Sequence, residues 1–475
     1  MKSPENQLLL SSGKIITFNP EQLDGLNKIK SWLRNGQTFF TLAGSAGSGK
    51  STMVKKILEN YRGGVVVTAP THKAVKVISN ITKKEGNTLH SLLGLRPDVD
   101  LITFDPNRPQ FNPIAIPKIN DFNFVIVDEA SMINKELFNL INEKAKNSSI
   151  KILFIGDSAQ LPPVNEDISI VFIENKIEKH ILFKIERQKD GNPILITCDN
   201  IRNNLNIIDG GYVRETNINN IGDGIIFTIN KNEFRNLCIK KFTSEEYKKD
   251  IDYCKGLAWR NQTVMESNKI IRNILFGEKS DIIEINDVLT GYRTITTENQ
   301  NTIIIQNSGD YQIIEKFNIE ENSYGIKGFR VKLKENLLNG LNKFQDIFII
   351  DIKDHQNLHL YGDMHDYFRD MGKSNKKMWK KYYEFRRNNI LMCDINKYSN
   401  GQLRNNSDII VKDIDYGYFL TVHKSQGSTY KHVMVIESDL NLNRDVVEKN
   451  KLKYVAFSRP EKTCTVLTTK IDNYQ

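Results

Sequence analysis

The stretch "TFFTLAGSAGSGKST", Thr38 to Thr52, decides the fold. It starts as an apolar strand, turns through a glycine-rich loop and opens the helix-like "STMVKKILENY". Gly44 to Ser51 fit G-x-x-x-x-G-K-[ST]. Strand, loop and helix in that order identify a phosphate-binding loop. The glycines let backbone N–H groups turn toward phosphate, and the helix N-terminus adds its partial positive charge. Gly44, Ser45, Ala46, Gly47, Ser48, Gly49, Lys50, Ser51 and Thr52 are the expected nucleotide contacts. Lys50 reaches the β and γ phosphates of ATP, and the Ser51 hydroxyl binds Mg²⁺.

Working outward, "GGVVVTAP", "FNFVIVDEA" and "IKILFIGDSAQ" are further buried-type strands separated by helical segments. Short β-branched runs alternating with helices predict an α/β protein with a parallel, doubly wound sheet. "VIVDEAS" delivers Asp128 and Glu129 at the end of a hydrophobic strand. Asp128 suits an Mg²⁺ water shell, and Glu129 suits orienting or deprotonating an attacking water. An isolated Asp-Glu is usually a solvated pair; its place downstream of a phosphate loop favours hydrolysis. "GDSAQLPPV" ends the next strand, and Gln160 offers a donor and an acceptor to a γ-phosphate and a water. Phosphoryl transfer also needs cations, and Arg187 in "LFKIERQ" and Arg459 in "YVAFSRP" are the candidates.

The chain has 475 residues, so more than one domain is expected. Its 39% hydrophobic and 26% charged content fit a soluble globular protein. A formal net charge of +9 suits a polyanionic partner, although a Lys-, Asn- and Ile-rich composition also drifts that way. The five cysteines have no C-x-x-C spacing, which argues for reduced thiols and against a disulfide frame or zinc site. No apolar run suits a signal core or a membrane span, so a cytoplasmic setting is expected, that of a host cell if the gene is phage-borne.

The motifs, in this order, resemble those of superfamily 1 helicases, nearest to the 5′-to-3′ branch (superfamily 1B) that includes the Dda and RecD-like enzymes. Gln22 in "FNPEQLDGLNKI" matches the adenine-reading glutamine. "APTHKAV" (Pro70, Thr71, His72) and "TLHSLLG" (Thr88, His90) match the motifs that touch single-stranded DNA in the first motor domain. "TVHKSQGST", Thr421 to Thr429, matches the motif touching DNA through Thr421, His423 and Ser425 and nucleotide through Gln426 and Gly427. "YVAFSRP" matches the last arginine motif, but Pro460 departs from the family's usual small residue and restricts Arg459.

The resemblance implies two RecA-like domains, with ATP in the cleft between them and Mg²⁺ as cofactor. Arg187, Gln426 and Arg459 would come from the second domain. The expected boundaries are 1–175 for the first motor domain, 176–290 with 401–475 for the second, and 291–400 for an inserted SH3-like and helical domain. Residues 95–118 sit where the branch carries a strand-splitting pin, and Phe104 is the candidate wedge, with an apolar loop anchor as the alternative. The basic aromatic segment Lys376 to Arg387 is expected to pack its aromatics inward and not to grip DNA.

The function implied is ATP-dependent 5′-to-3′ translocation on single-stranded DNA and unwinding of duplex or forked DNA, in replication, recombination or repair. A monomer is expected, with single-strand-binding or replication proteins as candidate partners. The alternatives are an RNA helicase, a protein-displacing translocase, or a binding module whose phosphate loop is only structural. The complete set of Lys50, Ser51, Asp128, Glu129 and Gln160 argues against the last.

Overall fold

The computed structural model describes residues 6–472, except 10–14, 85, 98–110, 114–116, 147, 185–191, 298–301, 337–341, 397, 400–401 and 404–408. Helix α1 (Pro20–Trp32) starts on a capping box between Asn19 and Gln22. The chain then alternates through β1 (Phe39–Gly44), α2 (Lys50–Asn60), β2 (Val65–Ala69), α3 (His72–Thr82) and β3 (Gly86–Thr88). It continues through β4 (Phe124–Val127), β5 (Lys151–Gly156) and β6 (Glu178–Leu182). These strands form one parallel sheet in the order β6-β1-β5-β4-β2-β3. Apolar side chains cover both of its faces, as a parallel sheet requires.

A second six-stranded sheet follows α4 (Ile194–Asn203). Its strands are β7 (Asn217–Ile218), β8 (Gly224–Thr228) and β9 (Cys254–Ala258), with α5 (Asn261–Phe276) running off β9. Before the sheet is completed the chain leaves it. It builds a five-stranded antiparallel sheet from β10 (Val288–Gly291), β11 (Asp310–Glu321), β12 (Lys327–Asn336) and β13 (Asn342–Ile350), closed by β14 (Ile414–Tyr416). Helices α6 (His355–Ser374) and α7 (Trp379–Asn388) pack on this sheet through Tyr361 and Phe385 against Phe348 and Ile350. Returning, β15 (Phe419–Thr421), β16 (Tyr430–Ile436), α8 (Val446–Phe457) and β17 (Pro460–Leu467) finish the second sheet as β7-β8-β17-β16-β9-β15. The architecture is thus two RecA-like α/β domains, the second carrying an antiparallel β-domain with helices.

Two expected boundaries move. The first domain does not end at 175, because β6 pairs with β1 from Glu178↔Phe40 to Leu182↔Gly44, and Leu182 joins the first core. The insertion does not span 291–400, because β10 begins at Val288 and β14 ends at Tyr416, both within the antiparallel sheet. In the run "DIDYGYFLTVH", Gly417 separates two strands that belong to different sheets.

Residues 95–118 do start as a hairpin, with Leu95–Pro97 antiparallel to Phe111–Pro113; Phe104 lies outside the described residues. In the 376–387 segment, Trp379, Tyr382 and Phe385 are buried, and Tyr382 bonds His365 at 3.0 Å. The five cysteines are free thiols. Among the described residues no helix is long and apolar enough to cross a membrane.

Candidate active site and nucleic-acid interface

The phosphate loop joins β1 to α2 and needs its glycines where the chain turns left-handed, at Gly47 (φ 83°) and Gly49 (φ 90°). Lys50 Nζ folds back and donates to the Gly44 and Ser45 carbonyls at 2.7 and 2.8 Å. Burial lowers its basicity, while Asp157, Asp128 and Glu129 oppose that. Gln22 is 3% exposed, and both ends of its amide are engaged. Its Nε2 donates to Ser48 O (2.9 Å), and its Oε1 accepts from Asn19 N (3.0 Å). The residue matched to adenine reading is therefore a helix cap and a strut under the phosphate loop here.

Asp128 stands just beyond β4, with its backbone N–H on Thr68 O. Burial and the neighbouring Glu129 push its carboxyl up to about 7. Glu129 itself takes a left-handed backbone, φ 51°, a strained pose for a non-glycine residue of the kind that collects at functional sites. Gln160 is buried, and its Oε1 has no hydrogen-bond partner among the described residues. The same holds for Ser45 Oγ and Ser48 Oγ. Three unmet polar groups on and near one glycine-rich loop fit a ligand rich in both donors and acceptors, as a nucleoside triphosphate with its hydration is. The Ser51 hydroxyl and the Asp128 carboxylate fit Mg²⁺, which takes few protein oxygens and completes its shell with water and phosphate.

The second domain meets this site through two motifs, those of Gln426 and Tyr454. The loop after β5 carries Ala159 and Leu161 into the second domain's apolar core. Gln426 Nε2 donates to Leu161 O at 3.4 Å. Tyr454 of α8 donates its hydroxyl to Asp157 Oδ2 (2.5 Å) and accepts from the Ala46 N–H (3.2 Å). Neither Tyr454 nor Asp157 was singled out from sequence; Tyr454 opens the arginine motif and Asp157 follows the strand glycine, which is the signal that could have found them. A cavity of ≈ 200 Å³ opens here, walled by Ser45 and Ala46 on one side and by Tyr454, Ser458 and Pro460 on the other. Arg459 lies between the last two, but its guanidinium donates to Val455 O, Ser428 O and Ser458 Oγ. It is held within its own domain. Arg187 lies outside the described residues.

A second face gathers the motifs expected to touch DNA. Thr71 caps α3 by accepting from Ala74 N, and Thr88 caps the short helix Leu89–Leu92 through Ser91 N. These caps start the two helices at His72 and beside His90. Burial, His90 and Lys343 of the β-domain together bring the His72 imidazole down to about 4, so three basic groups from two domains converge. Pro70 is half-buried beside them. From the second domain His423 is exposed. Thr421 is buried, and Ser425 is fully buried with its hydroxyl donating to Val422 O, so neither presents its hydroxyl outward. Lys424, which sequence reasoning passed over, lies 3.4 Å from the Tyr292 ring centre and donates to Gly291 O. Gly427, at φ 73°, packs on Ala74 of α3.

Comparisons with known proteins bear on the fold and the order of its regions. A family model for an AAA domain matches residues 17–207, and one for a UvrD-like helicase C-terminal domain matches residues 416–467. An uncharacterised protein of Acanthamoeba polyphaga mimivirus is 27% identical over 93% of this chain and 98% of its own length. The ATP-dependent DNA helicase dda of Enterobacteria phage T4 is 26% identical over 55% of this chain, which spans 58% of that helicase. RecBCD enzyme subunit RecD of Buchnera aphidicola is 25% identical over 90% of this chain and 70% of its own. The crystal structure of Pif1 helicase from Candida albicans shares the fold, with a TM-score of 0.51, 19% identity and coverage of 95% and 94%. The chain is thus similar, in order, to an AAA domain and to a UvrD-like helicase C-terminal domain, it has sequence relatives named as dda and RecD, and it shares its two-domain fold with Pif1 helicase.

Proposed function

We propose that this chain is an ATP-driven DNA helicase that moves 5′ to 3′ on single-stranded DNA and opens duplex or forked DNA. The observation that carries the reading is the Ala46–Tyr454–Asp157 bridge, which ties the phosphate loop and the loop after β5 to the second domain at one cavity. A ligand in that cavity would touch both domains. The relatives support the substrate: dda is named an ATP-dependent DNA helicase, and a Pif1 structure of TM-score 0.51 is described at forked DNA.

In this reading Lys50 leaves the Gly44 and Ser45 carbonyls for the β and γ phosphates, and the loop amides take the remaining oxygens. Ser51 and Asp128 would hold Mg²⁺, which when bound would offset the charge on the phosphates. Glu129 positions the attacking water and accepts its proton, and Gln160 supplies its free carbonyl to that water. Arg187 and Arg459 are the expected second-domain cations; Arg459 must release Val455 and Ser428 to act. Adenine recognition by Gln22 requires it to release Ser48. The motor domains are assigned to about 6–182 and to about 194–287 with 417–472, the β-domain to about 288–416.

Thr71, His72, Thr88, His90 and His423 form the strand grip, which touches phosphates and so positions DNA without reading it. Closure and opening of the cleft would move the grip of one domain past that of the other.

The test is ATP turnover with and without single-stranded DNA, run beside matched RNA, followed by unwinding of forks with a single 5′ or 3′ tail. DNA stimulation and a 5′-tail requirement are expected. Absence of stimulation by DNA sinks the reading, and stimulation by RNA alone reassigns the substrate. A Lys50→Ala protein that still hydrolysed ATP would contradict the site.

A further inference from the structure

One guanidinium stands at the nucleotide cleft without a role in the account above. Arg202 lies in the last turn of α4, in the second domain. Its Nε is 3.5 Å from Asp157 Oδ1 of the first domain, with side chains 13% and 0% exposed. At that distance the pair is ionic and not a good hydrogen bond. Arg202 Nε is buried without a hydrogen-bond partner among the described residues. A guanidinium is a rigid fork of five donors, so leaving one unmet in a buried position is costly.

The surroundings say what would meet it. The cavity lined by Ser45 and Ala46 is also lined by Arg202, and among its described lining residues Arg202 is the only cation. Asp199, Asp223 and Glu461 share the wall, so an anion entering there has Arg202 and the loop amides as its attractive end. Arg202 is also near enough to Lys50 to disfavour the lysine's charge. Two cations, one from each domain, thus repel across the cleft, and a polyanion between them would relieve that repulsion. The Tyr454 hydroxyl accepts from the Ala46 N–H, third residue of the phosphate loop, as a phosphate oxygen would. Arg459 does not compete, because its donors are committed to its own domain.

We propose that Arg202 is a γ-phosphate contact supplied by the second domain: Asp157 holds it at the cleft, and the entering triphosphate takes it over while displacing the Tyr454 hydroxyl from Ala46. The inference rests on the ATPase reading given above. Its consequence is that ATP, and not ADP, exchanges an Asp157 tether for a phosphate tether between the domains.

The experiment compares the full chain with Arg202→Ala, Arg202→Lys and Arg202→Gln. It reads DNA-stimulated kcat and the separate affinities for ATPγS and ADP, with thermal melting as the folding control. In Arg202→Ala, kcat is expected to fall about 10³-fold. ATPγS should bind about tenfold more weakly or worse, with ADP affinity nearly unchanged. Arg202→Lys should recover part of the ATPγS affinity, since it restores charge without the fork. An unaltered ATPγS-to-ADP ratio, or equal weakening of both, overturns the proposal. If Arg202→Ala does not fold, the Lys and Gln variants read the same ratio. A wild-type chain that binds ATPγS but never turns over ATP would sink the ATPase reading, and the ratio would still decide Arg202.

Discussion

Gly427 shows how little space some motif residues have. Its φ is 73°, and a Cβ there would lie 2.9 Å from the Ala74 Cβ of the other domain. Gly427→Ala combines backbone strain with an interdomain clash, and should destabilise by about 1–3 kcal/mol. A thermal melt equal to wild type would remove the packing argument. His432 offers a test in pH. It is 7% exposed, its Nδ1 lies 2.6 Å from Thr463 Oγ1, and burial with nearby lysines brings it from the usual 6.5 to about 4. Between those values the unfolded chain binds a proton that the folded one refuses. Its contribution is therefore complete above about pH 6.5 and is lost as pH falls toward 4. His432→Gln should flatten the acid limb of the stability curve by at most about 1.4 kcal/mol per pH unit. Parallel curves for the two proteins would refute the assignment. At this scale the sequence offers Lys50 and Asp128 as candidates because each residue type has one expected job in its context. It was silent on Tyr454, Asp157 and Arg202, whose meaning comes from a domain that the local sequence does not contain. It also misjudged Ser425, because a serine that seals its own turn reads the same as one that faces outward.

At the scale of elements, the legible strands were the fully buried ones. "VVVTA", "FVIV" and "KILFIG" are continuous apolar runs because both faces of a parallel sheet are covered. Strand β6, "EKHIL", was missed because an edge strand half in water carries Glu178 and Lys179. The loop after β5 was read for Gln160 alone, yet its structural weight lies in Leu161, which is buried in the neighbouring domain's core. Leu161→Ala should cost about 2–5 kcal/mol of stability through the cavity it leaves. It should also weaken the coupling between DNA and ATP turnover. A denaturation midpoint unchanged from wild type would show that the loop is held by Tyr454 and Gln426 instead.

Across the whole molecule, three bodies meet at one buried charge. Asp310 of the β-domain receives Lys73 of α3 at 2.7 Å and lies 3.5 Å from Lys255 of the second sheet. Tyr430 accepts from the same Lys73. Asp310→Asn leaves Lys255, which is fully buried, without its carboxylate, and is expected to cost about 3–5 kcal/mol. A loss below about 0.5 kcal/mol would mean the charges are solvated and the junction loose. The inserted domain is thus a third wall of the motor. Strand β17 adds a last point. It lies between β8 and β16, in the interior of the second sheet, although it is the last strand in sequence among the described residues. On a ribosome the first motor can fold while the second still waits for its last eight-residue strand to emerge. A premature stop before Pro460 would therefore release a half-engine: a nucleotide-binding lobe with an aggregation-prone partner, and no gradual loss of activity with each residue removed.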